Sequence, residues 1–239
     1  MLSQNKMNET KKINKNKILA ALLFVVIGFV LLQIPVNNLA GTGAKLTFFD
    51  MFYPVSGAFI GTGVGVVAVV AMQIFNLVFH GFAGVSTASL LVLLATVRLL
   101  PMIAGVVAFS KDSKKVLIIP AVAILAFLAT PTGLQAWYFS LLWLIPFAAW
   151  PFRKKFLLAR SLQTTFVSHS VGGAIWIWAF PTTAAFWTML IPIVLLERSI
   201  FTLGMSASYI LMNNLLTIIP IKNLATIDKK YLLKKLSFK

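Results

Sequence analysis

The positions of the positive charges constrain this chain more than any other feature. Eighteen of its 21 lysines and arginines fall in four clusters. These are Lys6, Lys11, Lys12, Lys15 and Lys17; Lys111, Lys114 and Lys115; Arg153, Lys154, Lys155 and Arg160; and Lys222, Lys229, Lys230, Lys234, Lys235 and Lys239. Between them lie apolar stretches long enough to cross a bilayer, which takes about 20 residues of helix. Basic residues collect on the cytoplasmic side of membrane proteins. The clusters therefore read as cytoplasmic loops and tails, and they must be separated by even numbers of crossings.

Composition agrees. The chain is 59% hydrophobic and 11% charged, with a mean hydropathy of +0.93. Soluble domains carry about 25% charged residues. A soluble enzyme and a disordered tail both fit poorly. A net charge of +16 would suggest nucleic acid in a soluble protein. Here the basic clusters largely lack the interleaved aromatics of a single-strand binder, so no nucleic-acid partner is expected. Cysteine is absent, which excludes disulfides, thiolate nucleophiles and zinc–thiolate sites.

Parity then counts the spans. Residues 116–130 go out, Pro131, Thr132 and Gly133 turn, and 134–150 return. The first part holds three apolar blocks: 18–36, 48–79 and 86–109. Residues 18–32 continue into Gln33 and Pro35 with no small-x-small cleavage site, so a retained first helix is expected. Three crossings would place Lys111–Lys115 outside. The middle block has 32 residues, and one helix of that length would measure about 48 Å. Gly61-Thr62-Gly63-Val64-Gly65 is a place to break it, giving helices at about 48–61 and 64–79. The alternative is one long tilted helix, with Gly57, Gly61 and Gly65 forming a close-packing face. Parity favours the break. In the last part, 162–180 is one span. Residues 184–220 carry Pro192, Glu197-Arg198, Gly204 and Asn213-Asn214, and read as a broken entrance followed by a final crossing.

The expected architecture is an all-α polytopic membrane bundle of about eight spans, within a range of six to nine, with both termini cytoplasmic. Residues 18–221 form one transmembrane domain between basic tails at 1–17 and 222–239.

Residues 46–79 read LTFFDMFYPVSGAFIGTGVGVVAVVAMQIFNLVF. The stretch resembles the substrate-binding S components of energy-coupling factor vitamin transporters. Members often show an Asp, a Pro, Gly-Ala-Phe, a small-residue turn and an amphipathic helix ending in Asn-Leu. Those positions here are Asp50, Pro54, Gly57-Ala58-Phe59, 61–65 and Asn76-Leu77. The resemblance covers 18–110 and implies two short helices over this stretch. It also implies a transmembrane coupling subunit and ATPases as partners. Two departures stand out. The family typically has six spans, and its first helix often carries an Ala-x-x-x-Ala docking face. Here Ala21 is followed four residues on by Val25, so docking would use a variant surface such as Ala21 and Gly28.

Charges at membrane depth are costly and enriched at functional sites. Arg98, Glu197 and Arg198 lie within apolar runs, and Asp50 sits at a helix mouth. A buried Arg98–Glu197 pair would keep both charged. The alternative is a structural ion pair, or Arg198 snorkelling to an interface. His169, between Ser168 and Ser170, could hydrogen-bond a ligand or serve as interhelical glue. His80 lies at a loop mouth, and two histidines without a carboxylate cluster give no metal site. Trp137, Trp176 and Trp187 are placed on the outer side, near the 37–47 loop, as a belt or as a stacking surface for a flat ligand. Gln73, Asn76, Asn213 and Asn214 either pair across helices or line a cavity.

The substrate-binding candidates are thus Asp50, Arg98, Trp137, His169, Trp176 and Glu197. The expected function is capture, from outside and under the 37–47 loop, of a small vitamin-like molecule. No cofactor and no catalytic residue is expected. The sequence contains no G-x-x-x-x-G-K-[ST], so a separate module would supply energy. A self-contained permease is the alternative. A membrane enzyme acting on lipid-linked substrates is less well supported, since five acids leave little for paired carboxylate chemistry.

Overall fold

The computed structural model describes residues 15–38, 45–80, 88–219, 221 and 224–233. Most of the two basic tails and the centre of the 37–47 loop lie outside these residues, as does the His80 side chain. The fold is helical, with one short hairpin among the described residues.

Helix α1 (Lys15–Leu32) is apolar on all sides. It leads into a two-stranded antiparallel hairpin, β1 (Pro35–Asn38) on β2 (Lys45–Thr47), with Pro35 opposite Thr47. Three short helical pieces follow: α2 (Phe49–Phe52), a 3₁₀ turn (Tyr53–Val55) opened by Pro54 in its first turn, and α3 (Ser56–Ile60). Gly61 then breaks the helix with φ 91°, a backbone conformation that costs a side-chain-bearing residue about 1–2 kcal/mol. Helix α4 (Thr62–His80) folds back along α3.

Both sequence readings of the glycines apply at once. The chain breaks at Gly61, and Gly57 and Gly65 then face each other across the break. A Cβ on Gly65 would lie 2.7 Å from the Gly57 Cα. The suggested docking surface at Gly28 is not available: a Cβ there would meet the Met72 sulfur at 2.1 Å, so Gly28 is spent on packing α1 against α4.

Helix α5 (Ala88–Ser110) contains Pro101. A 3₁₀ turn (Lys114–Leu117) leads into α6 (Ile118–Leu128). The reversal comes where Pro and Gly were expected to place it. Thr130 caps α7 (Pro131–Gln135) by accepting from the Gly133 N–H at 2.9 Å. The return is unusual. Trp137–Leu144 is 3₁₀ over eight residues, where such runs rarely exceed three or four. Its buried side chains are Phe139, Ser140 and Trp143. Helix α8 (Ile145–Ala149) and a last 3₁₀ turn (Trp150–Phe152) complete it.

Helix α9 (Leu157–Ala179) lies at the centre, packed against α5, α6, α8 and α10. Helix α10 runs Ala184–Ile218, 35 residues without interruption, or about 52 Å. This corrects the expected break. The breaking residues serve other ends: Gly204 lies where a Cβ would meet the Met51 sulfur at 2.2 Å, so it admits α2. Asn213 and Asn214 bind the returning tail, and Pro192 is accommodated within the helix. Hydroxyls of Ser199, Thr202 and Ser206 bond to carbonyls four residues back. Among the described residues, α10 alone is long and apolar enough to cross a membrane, with mean hydropathy 1.6.

The asparagine pair works like two extra peptide groups. Asn213 donates to the Asp228 carbonyl at 2.9 Å and accepts from the Asp228 N–H at 2.8 Å. Asn214 donates to the Tyr231 carbonyl and accepts from the Leu233 N–H, both at 2.8 Å. The tail is thereby held at the end of the bundle where the Gly61 break and the end of α5 also meet: Thr226 N–H donates to the Phe59 carbonyl, and Ser110 Oγ donates to Thr62 Oγ1, both at 2.9 Å. Lys154, Lys155, Arg153, Arg160 and Lys230 gather there too.

Candidate functional site

The bundle inverts the usual distribution of polarity. Leu22, Val26, Val67, Phe79, Leu125, Leu196, Leu203 and Leu211 are exposed, whereas Ser161, Gln163, Thr164, Thr165, Ser168, Ser170, Asn213 and Asn214 are buried. Much of this polar interior comes from α9. Buried polar groups need partners, and α9 supplies hydroxyls to three neighbouring elements.

The densest group lies where α2, α5, α9 and α10 converge. Arg198 is 9% exposed and Glu197 7%. Their closest N···O distance is 3.5 Å. Sequence neighbours on a helix project about 100° apart and do not face each other, which is why the contact is long. Arg198 Nη1 also reaches Thr165 Oγ1 at 3.5 Å, and its guanidinium carbon lies 4.4 Å from the centre of the Phe201 ring. Its Nε is buried with no hydrogen-bond partner.

Asp50 is fixed from its own segment: its carboxylate accepts from the Thr47 N–H at 2.7 Å and from Thr47 Oγ1 at 3.2 Å. Arg98 and Arg198 both lie within electrostatic reach of Asp50. Tyr53, one turn further on, shares a 2.9 Å hydrogen bond with Ser168, whose hydroxyl donates to the Pro101 carbonyl at 2.8 Å. His169 accepts at Nδ1 from Trp143 Nε1 at 3.0 Å, which leaves its ring proton on Nε2. The Phe139, Trp143 and Phe166 rings surround it, and Arg198 is within electrostatic reach.

Arg198 thus contacts Glu197 and lies within electrostatic reach of Asp50 and His169, and Arg98 lies within electrostatic reach of Asp50. Among the described residues no group of three potential metal ligands occurs. Chemically, the set can offer donors and acceptors at close quarters to a polar molecule.

Of the six candidates from sequence, Asp50, Arg98, His169 and Glu197 fall in this neighbourhood. Trp137 and Trp176 do not. Trp137 is 55% exposed and meets Tyr138 edge-on. Trp176 packs on Phe180, with ring centres 4.3 Å apart. Trp187 is buried against Phe127 and Phe139 instead, so the three tryptophans form no common stacking surface. The Arg98–Glu197 pair is not formed: the ion pairs within 4.0 Å among the described residues are Lys154–Asp112 and Arg198–Glu197. Arg198 is interior and does not snorkel. Ser168 and Ser170 bond elsewhere than to His169.

Sequence reasoning missed Tyr53, Thr165 and Trp143. The last is 0% exposed, in the middle of the expected returning span 134–150. No protein-family model, curated protein or solved structure matches this chain.

Proposed function

We propose that this chain is a membrane-embedded subunit that captures a small, vitamin-like polar molecule for uptake, in the manner of the S components of energy-coupling factor transporters. The observation that carries the reading is the charged cluster around Arg198 inside a bundle whose outer surface is apolar. Charges at bilayer depth are expensive and mark substrate paths. The partnerless Nε of Arg198 is a donor suited to a ligand carbonyl or carboxylate. Asp50 and Glu197 are acceptors for ligand N–H groups.

On this reading the passes α1, α2–α3, α4, α5, α6, 137–152, α9 and α10 are eight spans. The short ones fit a bilayer only as members of a packed bundle. The gathered basic residues mark the cytoplasmic face, and the hairpin 35–47 lies on the outer side. A substrate enters beneath that hairpin and reaches Asp50 and Arg198. It is released inward with the help of a transmembrane coupling subunit and ATPases, since no phosphate-binding loop is present in the sequence.

The test is to purify the chain in neutral detergent and analyse what stays bound by mass spectrometry. One small molecule at near-stoichiometric amount is expected. Arg198→Met should reduce its retention tenfold or more, since hydrogen bonds to charged groups are worth about 1.5–3 kcal/mol. An empty wild-type protein, or full retention by the variant, would contradict the proposal. Uptake by liposomes containing this chain alone would favour a self-contained permease.

A further inference from the structure

The basic end of the bundle carries two adjoining clefts that the Arg198 cluster does not use. One has a volume of about 290 Å³ and is lined by Asp112, Lys114, Trp150, Arg153 and Lys154. The other, about 160 Å³, shares Asp112, Arg153 and Lys154 and adds Arg160, Asp228 and Lys230. Five cations and two carboxylates therefore face this space.

Arg153 is the built part of the site. It is 5% exposed. Its Nη2 donates to the Ala108 and Phe109 carbonyls at 3.0 and 3.3 Å, which close the end of α5. Its guanidinium lies 4.6 Å from the centre of the Trp150 ring. Its Nη1 is buried with no partner, although the residue lines both clefts. Arg160 is held in the same way, with Nε donating to the Phe109 carbonyl at 2.7 Å and the guanidinium stacked on Phe109. Both arginines are thus preorganised by backbone and ring contacts, and Arg153 keeps Nη1 without a partner. Lys154 is exposed and joined to Asp112 at 2.7 Å. That bond holds the Asp112 carboxyl below the usual carboxylate range, so the cleft already contains one anion drawn to this cation.

We infer that this double cleft binds a phosphate group, with Arg153 Nη1 as its buried donor and Lys154, Lys114 and Lys230 as surrounding point charges. A fixed guanidinium fork with several ammonium groups around it suits a multiply charged tetrahedral anion approached from several sides. The phosphate could belong to an anionic lipid headgroup or to a soluble phosphate compound, and the experiment distinguishes them. Burial lowers the Arg153 pKa only to about 10, so the donor stays cationic at neutral pH. The inference does not require capture at Arg198.

The full-length chain in neutral detergent is titrated with inorganic phosphate by calorimetry. Separately, native mass spectrometry counts retained phosphatidylglycerol against phosphatidylcholine. Binding in at least one arm is expected. K154A and K114A should each weaken it about fivefold, following the typical contribution of one basic side chain near a phosphate surface. R153Q should weaken it tenfold or more, and K17A, on α1, should leave it unchanged. Phosphate binding alone assigns a soluble ligand; selective retention of phosphatidylglycerol assigns a lipid; either result supports the site. Should R153Q fail to fold, the two exposed lysine variants carry the test. Absence of binding in both arms, or binding that K154A, K114A and R153Q leave unaltered, overturns the inference.

Discussion

Replacing Arg198 with methionine is expected to destabilise the protein by about 3 kcal/mol, the low end of what breaking a buried ion pair costs. Methionine keeps the length and the contact with Phe201 but removes the positive charge. Asp50 then keeps Arg98 as a guanidinium within electrostatic reach. Because the two side chains approach to 3.5 Å, the double variant Arg198→Met with Glu197→Gln should lose less stability than the sum of the two single losses. Equilibrium unfolding in mixed micelles measures both. A single-variant effect below about 0.5 kcal/mol, within the range of ordinary surface substitutions, would show that the cluster is not electrostatically coupled. The stability and ligand-retention readouts are independent: a stable Arg198→Met protein without ligand would place Arg198 in recognition more than in folding.

Gly65→Leu is expected to be the most disruptive single change in the first half. A Cβ at this position would meet the Gly57 Cα and nitrogen, both at 2.7 Å, and Ser56 Oγ at 3.1 Å. Two of those atoms are backbone and cannot rotate away. Overpacking costs about 1–3 kcal/mol where side chains can adjust, so about 3 kcal/mol or more is expected here. Gly63→Leu is the control two residues away. Nothing lies within 4 Å of a Cβ at Gly63, and replacing an exposed helical glycine stabilises by up to about 1 kcal/mol. The contrast separates close approach from helix propensity. The Gly65 variant should also impair ligand retention, because α3 continues directly from the segment 49–55 that carries Asp50 and Tyr53. Equal effects at Gly63 and Gly65 would refute the packing argument.

Much of the first half could be read before the structure was known. The glycine-rich run 61–65 marked a break between two helices, and the chain does break at Gly61. What remained illegible is long-range geometry. Pairing of Trp143 with His169 joins residues 26 apart in sequence, and neither residue announces the other. Arg98 and Glu197 read as a buried pair, yet Glu197 lies 3.5 Å from its neighbour Arg198, and Asp50, from the far end of the chain, is within electrostatic reach of the same guanidinium. The α10 sequence held every conventional breaking signal, but packing used each one differently: Gly204 admits Met51, and the two asparagines imitate peptide groups for the tail. Propensity rules describe an isolated helix, and here neighbours decide what a glycine or an asparagine does. Arg153 and Arg160 were read as topology markers. The structure adds that both cap the end of α5, a role the charge count alone could not convey.

Everything proposed about the site depends on a bilayer around the apolar surface and the basic end facing the cytoplasm. The absence of cysteine makes this directly testable, because each introduced thiol is the sole target. Single cysteines are placed at exposed Lys114 and Lys229 on the basic end and at exposed Gln135 on the opposite turn. Intact cells are then treated with a membrane-impermeant maleimide. The account predicts labelling of Gln135→Cys alone, with Lys114→Cys and Lys229→Cys reacting only after permeabilisation. Labelling of Gln135→Cys and Lys114→Cys under the same condition, from the same side, would contradict it.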